Sequence, residues 1–190
     1  MKKIAIFASG TGSNFQAIVD AIKAGCLQME VALLVCDKPE ALVIEKAENE
    51  NIKTFVINPK EYETKASFEQ KINSVLLENG VDLIVLAGYM RLIGSTLLTA
   101  YKNKIINIHP SLLPSFPGKD AIGQAFRAGV KITGVTIHYV DEGMDTGPII
   151  AQRALELSGE ELLSEVEQKI HEIEHVFYPE VLQKCFVEKN

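Results

Sequence analysis

The sequence contains few cysteines and no long apolar segment. Cys26, Cys36 and Cys185 are far apart and form no CxxC pair. This spacing argues against a disulfide scaffold and predicts buried, reduced thiols of a cytoplasmic protein. No apolar run is long enough to span a bilayer. The apolar stretch after the N-terminal lysines soon reaches glycine and polar residues, so a signal peptide is not expected.

Clustered positive charge is also missing from the sequence. The 190 residues carry 19 Lys and Arg against 25 Asp and Glu, a formal net charge of −6 at pH 7. An acidic chain without a basic patch is not typical of a nucleic-acid binder, so no nucleic-acid partner is expected. No cluster of residues has metal-ligand spacing, and we therefore expect no metal.

Apolar, β-rich runs alternate with helical patterns along the chain. This alternation predicts an α/β fold with a mostly parallel, Rossmann-like sheet flanked by helices. Two late runs, 133–140 and 148–155, are close enough to pair as antiparallel strands. A helical pattern covers 160–187, and Pro179 predicts a kink or a break in it.

The loop SGTGSN, residues 9–14, joins the first predicted strand to the first predicted helix. Glycine lets the backbone turn tightly, and the N–H groups at a helix start attract an anion, typically phosphate. Ser13 is the expected N-cap, and Ser13 and Asn14 can add hydrogen bonds to the anion. The alternative is a glycine turn needed only for tight packing of the strand on the helix.

A nicotinamide dinucleotide is another candidate ligand for this loop. Its GxGxxG fingerprint requires a third glycine where this chain has Phe15. Asp37 does follow the second predicted strand, where a ribose-binding acid would lie. The sequence contains no GK[ST] and therefore no P-loop.

The stretch NIHPSLLPSFPG, residues 107–118, begins in a predicted strand and continues into a proline-rich loop. Because side chains alternate along a strand, Asn107 and His109 share one face. Pro110 keeps His109 extended, and the later prolines stiffen the loop. This end of a strand is where open α/β sheets bind ligands. The alternative is that both side chains only anchor the adjacent loop.

An acidic, glycine-containing loop, DEGMDTGP at 141–148, separates the last two predicted strands. A carboxylate beside an imidazole favours the charged ring. A charged imidazole next to an amide can stabilise an oxyanion. The chain shows no nucleophile elbow and no cysteine beside this strand. These features predict acyl transfer without a protein nucleophile.

SGTGSN, LAGYMRLI (86–93), NIHPSLLPSFPG and DEGMDTGPII occur in one order and spacing along the chain. In this arrangement the sequence resembles the phosphoribosylglycinamide formyltransferase family. The resemblance implies a formyltransferase-type fold and transfer of the formyl group of 10-formyltetrahydrofolate to the amine of 5′-phosphoribosylglycinamide in purine biosynthesis. It also implies that 10-formyltetrahydrofolate is a co-substrate rather than a resident cofactor.

The resemblance implies roles for individual residues as well. The catalytic set would be His109, in its protonated form, with Asn107 and Asp145. The ribonucleotide would be bound by Gly12, Ser13, Asn14 and Glu174. The formyl donor would be bound by Lys65, Met90, Arg91, Leu92, Ile93, Asn107 and Val140. On sequence alone, Met90, Leu92 and Ile93 could be plain core, and Lys65 and Glu174 could be solvated helix charges.

The resemblance implies a single domain over 1–190, divided into a phosphate-binding half (1–103) and a half with the catalytic strand and the folate loop (104–190). A deformylase, which passes the formyl group to water, shares the catalytic strand and the acidic loop and remains an alternative. A homodimer also remains open. The segment 119–125 departs from many family members, which have histidine there, and we assign it no role.

Three further histidines receive no catalytic role from the sequence. His138 shares a strand face with Thr136 and Val140 and is expected to be structural. His171 and His175 are expected to be surface or capping residues of the last helix.

Overall fold

A computed structural model describes residues 1–187 of the chain. The strands are β1 (Lys2–Ala8), β2 (Met29–Cys36), β3 (Thr54–Val56), β4 (Leu83–Leu86), β5 (Ile105–His109), β6 (Ile132–Tyr139) and β7 (Ile149–Glu156). The helices are α1 (Ser13–Lys23), α2 (Leu42–Asn49), α3 (Lys65–Glu78), α4 (Ser95–Ala100), α5 (Ala121–Ala128) and α6 (Leu163–Leu182). Residues 188–190, the end of the predicted domain, lie outside the described range.

All these strands form one seven-stranded sheet in the order β3-β2-β1-β4-β5-β6-β7. The pairings from β3 to β5 are parallel, whereas β6 pairs antiparallel with both β5 and β7. The predicted fold class is therefore confirmed, including the antiparallel C-terminal strands. No helix within residues 1–187 is long and apolar enough to cross a membrane.

Helices cover both faces of the sheet, which explains why its central strands are almost wholly apolar. On one face, Ile4, Ile6, Ile106 and Ile108 pack with buried residues of α1, α2 and α6. The opposite face packs against α3 and α4. The Tyr178 hydroxyl on α6 donates a 2.9 Å hydrogen bond to the carbonyl of Leu86 and so ties α6 to the end of β4.

The predicted N-cap of α1 is wrong by one residue. Gly12 precedes the helix with a left-handed backbone (φ 73°), and Ser13 is the first helical residue. A Cβ at position 12 would lie 2.5 Å from Cγ2 of Val43, so the loop needs glycine for both its backbone and its packing. No side chain caps α1, so its first N–H groups remain without a partner from a cap.

The predicted break at Pro179 is also wrong. The helix α6 continues through Pro179 to Leu182 and is followed by a π-helical turn, Gln183–Val187. The proline removes one backbone N–H, but Tyr178, Val181 and Leu182 around it are buried in the core. Tertiary packing of this face explains why the helix is not interrupted.

The cysteines follow the prediction only in part. All of them are free thiols, and Cys36 is buried at the end of β2. Cys185 is partly buried, whereas Cys26 is exposed in the turn after α1. The expectation of a buried thiol is therefore wrong for Cys26, because this turn lies at the surface.

Candidate active site

A cleft of about 500 Å³ lies along the carboxyl ends of the central strands. This volume is typical of a small-molecule site. Its walls are the first loop, the loop after β4 and the end of β5. Residues 118–122, the acidic loop and one side of α6 complete the lining. Ligands bind at this edge in open α/β sheets, because the loops and helix starts of neighbouring βα units converge there.

The first loop forms a candidate anion site in the wall of the cleft. Gly12, Ser13 and Asn14 all line it, at the uncapped N-terminus of α1. The N–H groups at such a helix start carry partial positive charge and have no helical partner. The loop can therefore bind a phosphate group through its backbone.

The structure weakens the nicotinamide alternative. Phe15, at the position of the third glycine, is fully buried in the core beneath α1. The Asp37 carboxylate is buried and accepts a 2.5 Å hydrogen bond from the Ser9 hydroxyl. Asp37 is thus bonded to Ser9, in the loop that follows β1, and it does not line the cleft where a ribose would bind.

Glu174 on α6 lies against the first loop and is buried, so the alternative of a solvated helix charge is wrong for it. Its Oε2 atom accepts hydrogen bonds from Asn14 Nδ2 (3.2 Å) and His171 Nδ1 (2.9 Å). Glu174, Asn14 and His171 all line the cleft. The fold therefore brings a carboxylate next to the anion site, as the family resemblance implies.

His171 is not simply a surface histidine, because it pairs with Glu174 and lines the cleft. The hydrogen bond to Glu174 raises the pKa of His171, and burial opposes that rise. Its side chain is half exposed, so the charged pair is partly screened by solvent. The His171 ring also stacks on His175, with 6.4 Å between ring centroids.

Replacing His171 with glutamine is expected to reduce stability more at pH 5.5 than at pH 9. A raised pKa in the folded state stabilises the protein below the ordinary histidine pKa of about 6.5, and this contribution is lost as the pH rises through the folded-state pKa. Because the pair is half exposed, the difference should stay below about 1 kcal/mol. Urea unfolding of wild type and variant at both pH values measures it.

His175→Gln is the matched comparison, because burial lowers the pKa of His175. Its contribution has the opposite sign, so this variant should gain stability relative to wild type as the pH falls. A His171→Gln effect of equal size at both pH values would contradict the assigned ion pair.

The loop after β4 carries exposed apolar side chains toward the cleft. Met90 and Leu92 are 58% and 50% exposed, whereas Ile93 is buried. Ile93 therefore packs in the core and also lines the cleft, whereas the plain-core alternative is wrong for Met90 and Leu92. Apolar side chains exposed in a cleft are suited to the flat face of an aromatic ligand.

The loop after β4 is held by Ser9 on one side and by α3 on the other. The Ser9 hydroxyl accepts a 3.0 Å hydrogen bond from the N–H of Met90. The guanidinium of Arg91 lies 5.5 Å from the centre of the Phe68 ring on α3. Glu69 on α3 accepts a hydrogen bond from the N–H of Gly94. The loop is thus anchored before a ligand arrives.

Lys65 stands apart from the cleft. It is the first residue of α3, is exposed and does not line the cavity. Its Cε atom lies 2.8 Å from the point where a Cβ on Gly94 would be. Lys65 therefore lies beside the end of the loop after β4, at the rim of the cleft rather than inside it.

Asn107 and His109 lie on one face of β5, as strand alternation predicts, and both line the cleft. His109 is only 5% exposed. Its Nε2–H donates a 2.9 Å hydrogen bond to the carbonyl of Phe116, which fixes this nitrogen as a donor. Its Nδ1 lies 3.5 Å from Oδ2 of Asp145. A carbonyl oxygen and a carboxylate oxygen thus face the two ring nitrogens.

His138, which the sequence predicted to be structural, lines the cleft and contacts Asn107. It is buried on β6 opposite Asn107, and burial lowers its pKa. Its Nδ1–H donates to the carbonyl of Tyr139 (2.8 Å), so its Nε2 is left to accept from Asn107 Nδ2 at 3.3 Å. A neutral His138 therefore orients the Asn107 amide. The signal for this role was the position of His138 on β6, where its side chain is on the face of the strand that lines the cleft.

Asp145 reaches this set from the acidic loop. Its Oδ2 accepts a 2.7 Å hydrogen bond from the N–H of Gly118, and its Oδ1 lies 3.7 Å from Nε2 of His138. Val140, at the start of the same loop, donates its N–H to the carbonyl of Ile105 and lines the cleft. The predicted amide, imidazole and carboxylate are brought together at one place.

Two further features bear on the chemistry. Within residues 1–187 no group of three or more His, Cys, Asp or Glu side chains is arranged to hold a metal ion. Lys119 to Ile122, in the segment that was left without a role, line the cleft. Asp120 in this segment pairs with Arg127 at 2.8 Å.

Comparisons with known proteins agree with this geometry. The formyl transferase family matches residues 2–182. Phosphoribosylglycinamide formyltransferase of Bacillus subtilis (strain 168) is 62% identical over 184 residues, 97% of this chain and 94% of the relative. The trifunctional purine biosynthetic protein adenosine-3 of Drosophila melanogaster is 38% identical over 183 residues, 95% of this chain and 14% of the relative.

A solved structure is also similar to this chain. The crystal structure of phosphoribosylglycinamide formyltransferase from Bacillus halodurans matches with a TM-score of 0.96 at 53% identity, covering 100% of this chain and 97% of that one. The chain therefore belongs to the formyl transferase family. Within that family it belongs with the phosphoribosylglycinamide formyltransferases, enzymes of purine biosynthesis. The family predicted from the sequence motifs is confirmed.

Proposed function

We propose that this enzyme transfers the formyl group of 10-formyltetrahydrofolate directly to the amine of 5′-phosphoribosylglycinamide. The observation that carries this proposal is the convergence of Asn107, His109 and Asp145 between an anion site on α1 and an apolar loop after β4. The two substrates lie end to end along the cleft, and their reactive groups meet at the end of β5.

The ribonucleotide binds at the α1 end of the cleft. Its phosphate accepts hydrogen bonds from the N–H groups of Gly12, Ser13 and Asn14, at the positive end of the helix. The buried carboxylate of Glu174 accepts hydrogen bonds from the hydroxyl groups of the sugar. These contacts direct the amine toward Asn107 and His109.

The formyl donor binds at the other end of the cleft. Its pterin ring packs beside Met90 and Leu92, and it bonds to backbone groups of Arg91, Leu92 and Ile93. Val140 closes the opposite side, and Asn107 faces the formyl group. Lys65 at the rim attracts the negatively charged glutamate tail.

The reaction needs no covalent bond to the protein. The amine nitrogen attacks the formyl carbon, and a tetrahedral intermediate with a negatively charged oxygen forms. The C–N10 bond then breaks, and N10 gains the proton that the attacking amine loses. Preorganised donors that bind the oxygen only when it carries charge lower the barrier to this reaction.

Asn107 and protonated His109 are these donors. One N–H of Asn107 is held by His138 at 3.3 Å, which leaves its second N–H for the substrate. The distance of 3.5 Å from His109 Nδ1 to Asp145 Oδ2 is too long for a strong hydrogen bond, so this N–H remains available to the oxyanion. Asp145 orients the ring and helps a water to carry the proton.

The alternative acceptor is water, as in a deformylase, and the test separates the two. Purified enzyme is mixed with 10-formyltetrahydrofolate, and formation of tetrahydrofolate is followed by absorbance with and without the ribonucleotide. Turnover that depends on the ribonucleotide is expected. Equal turnover without it would establish hydrolysis and would remove the role of Gly12, Ser13 and Asn14. We further propose that the enzyme acts in the cytoplasm, as one domain and without a metal.

A further inference from the structure

Asp145 has an unusual backbone conformation for a residue at the centre of a site. Its φ is +57°, in the left-handed region that residues other than glycine seldom adopt. In this conformation its carboxylate is directed to His109, His138 and the N–H of Gly118. The direction of the carboxylate therefore depends on how the rest of the acidic loop is held.

Two side chains close that loop around Asp145. Oδ1 of Asp141 accepts hydrogen bonds from the N–H of Gly143 (3.0 Å) and from the hydroxyl of Thr146 (2.6 Å). Because Asp141 and Thr146 stand on either side of Asp145, this pair fixes both ends of the segment that carries it. A Cβ on Gly143 would collide with the Thr146 hydroxyl, so the loop is also closely packed here.

The loop is fastened to the sheet at its far end. A Cβ on Gly147 would collide with the carbonyl of Tyr139, so the backbone of the loop lies directly on the end of β6. The Tyr139 N–H also bonds to the carbonyl of Pro148. With that end anchored, the Asp141–Thr146 hydrogen bond closes the loop around Asp145, and the Gly118 N–H holds the Asp145 carboxylate from outside the loop.

We infer that Asp141 and Thr146 are positioning residues for the reaction and hold Asp145 toward the two active-site imidazoles. This inference rests on the proposed function of Asp145. Thr146 is exposed and does not line the cleft, so it acts on the reaction only through the loop. Asp141 does line the cleft, which makes Thr146 the clearer residue to change.

Thr146→Val removes the hydroxyl group and keeps the shape of the side chain. We expect kcat at saturating concentrations of both substrates to fall about threefold to tenfold, the usual net effect of losing one hydrogen bond. Thr146→Ser should restore most of kcat. Thr99→Val, at an exposed position of α4, is the matched control and should leave kcat and the thermal midpoint unchanged.

A double-mutant cycle separates positioning from a structural effect. In an Asp145→Asn background, Thr146→Val should change kcat by less than about twofold, because the group that Thr146 positions no longer acts. Equal losses in both backgrounds, or an unchanged kcat for Thr146→Val, would overturn the inference. The wild-type dependence on ribonucleotide, measured in parallel, shows separately whether the proposed function holds.

Discussion

Replacing His109 with alanine is expected to lower kcat by at least about 10²–10³-fold, the usual cost of losing one oxyanion donor. The His109 ring is buried at the end of β5, with Phe116 and Asp145 facing its two nitrogens. Alanine removes the proposed oxyanion donor and also leaves the Asp145 carboxylate without the imidazole beside it. Steady-state assays with both substrates saturating measure the loss.

The fold should survive this change, because the hydrophobic face of β5 is formed by Ile106 and Ile108 and is untouched. Circular dichroism and thermal unfolding check that point, and His109→Gln, closer to histidine in size, serves if the alanine variant is unstable. His175→Ala is the matched control, since His175 is on α6 but does not line the cleft. A His109→Ala enzyme within tenfold of wild-type kcat would remove His109 from the mechanism.

Replacing Asn107 with alanine is expected to give a loss of the same order, about 10²–10³-fold in kcat. The amide is held by the neutral ring of His138, and its second N–H faces the cleft. Because this donor is already oriented before substrate binds, no reorganisation is needed when charge develops on the oxygen. The loss should therefore appear in kcat more than in KM for either substrate.

Asn107→Asp tests the role of the amide N–H more directly, because it keeps the size of the side chain but replaces its donors with an acceptor. This variant should be at least as slow as Asn107→Ala, since its carboxylate would repel the oxyanion. Asn58→Ala, on an exposed turn away from the cleft, is the control and should keep wild-type kcat. Wild-type activity of Asn107→Asp would show that the amide N–H does not stabilise the intermediate.

Local sequence patterns were sufficient to predict much of the catalytic strand. The period of two in a strand puts Asn107 and His109 on one face, and the structure has them there. The alternation of apolar runs and helical patterns similarly predicted the α/β sheet and its antiparallel end. These properties depend on neighbours a few residues away, which is why the sequence alone reveals them.

Predictions that depended on tertiary packing were wrong or were left open. Helix α6 runs through Pro179, and Ser13 is not the N-cap of α1, because the buried face of α6 and the close contact of Gly12 with Val43 decide the local structure. Met90 and Leu92 were ambiguous for the same reason. Their apolar character is compatible with either a core or a ligand surface, and only their exposure distinguishes the two.

The sequence by itself determined the order of strands and helices, the shared face of Asn107 and His109, and a family resemblance borne by four separate motifs. Only the tertiary structure decided which distant side chains meet. Asn14 bonds to Glu174 across 160 residues of chain, and His138 bonds to Asn107 from the neighbouring antiparallel strand. The physical reason is that strand and helix periodicity are local, whereas these contacts depend on how whole elements pack around one cleft.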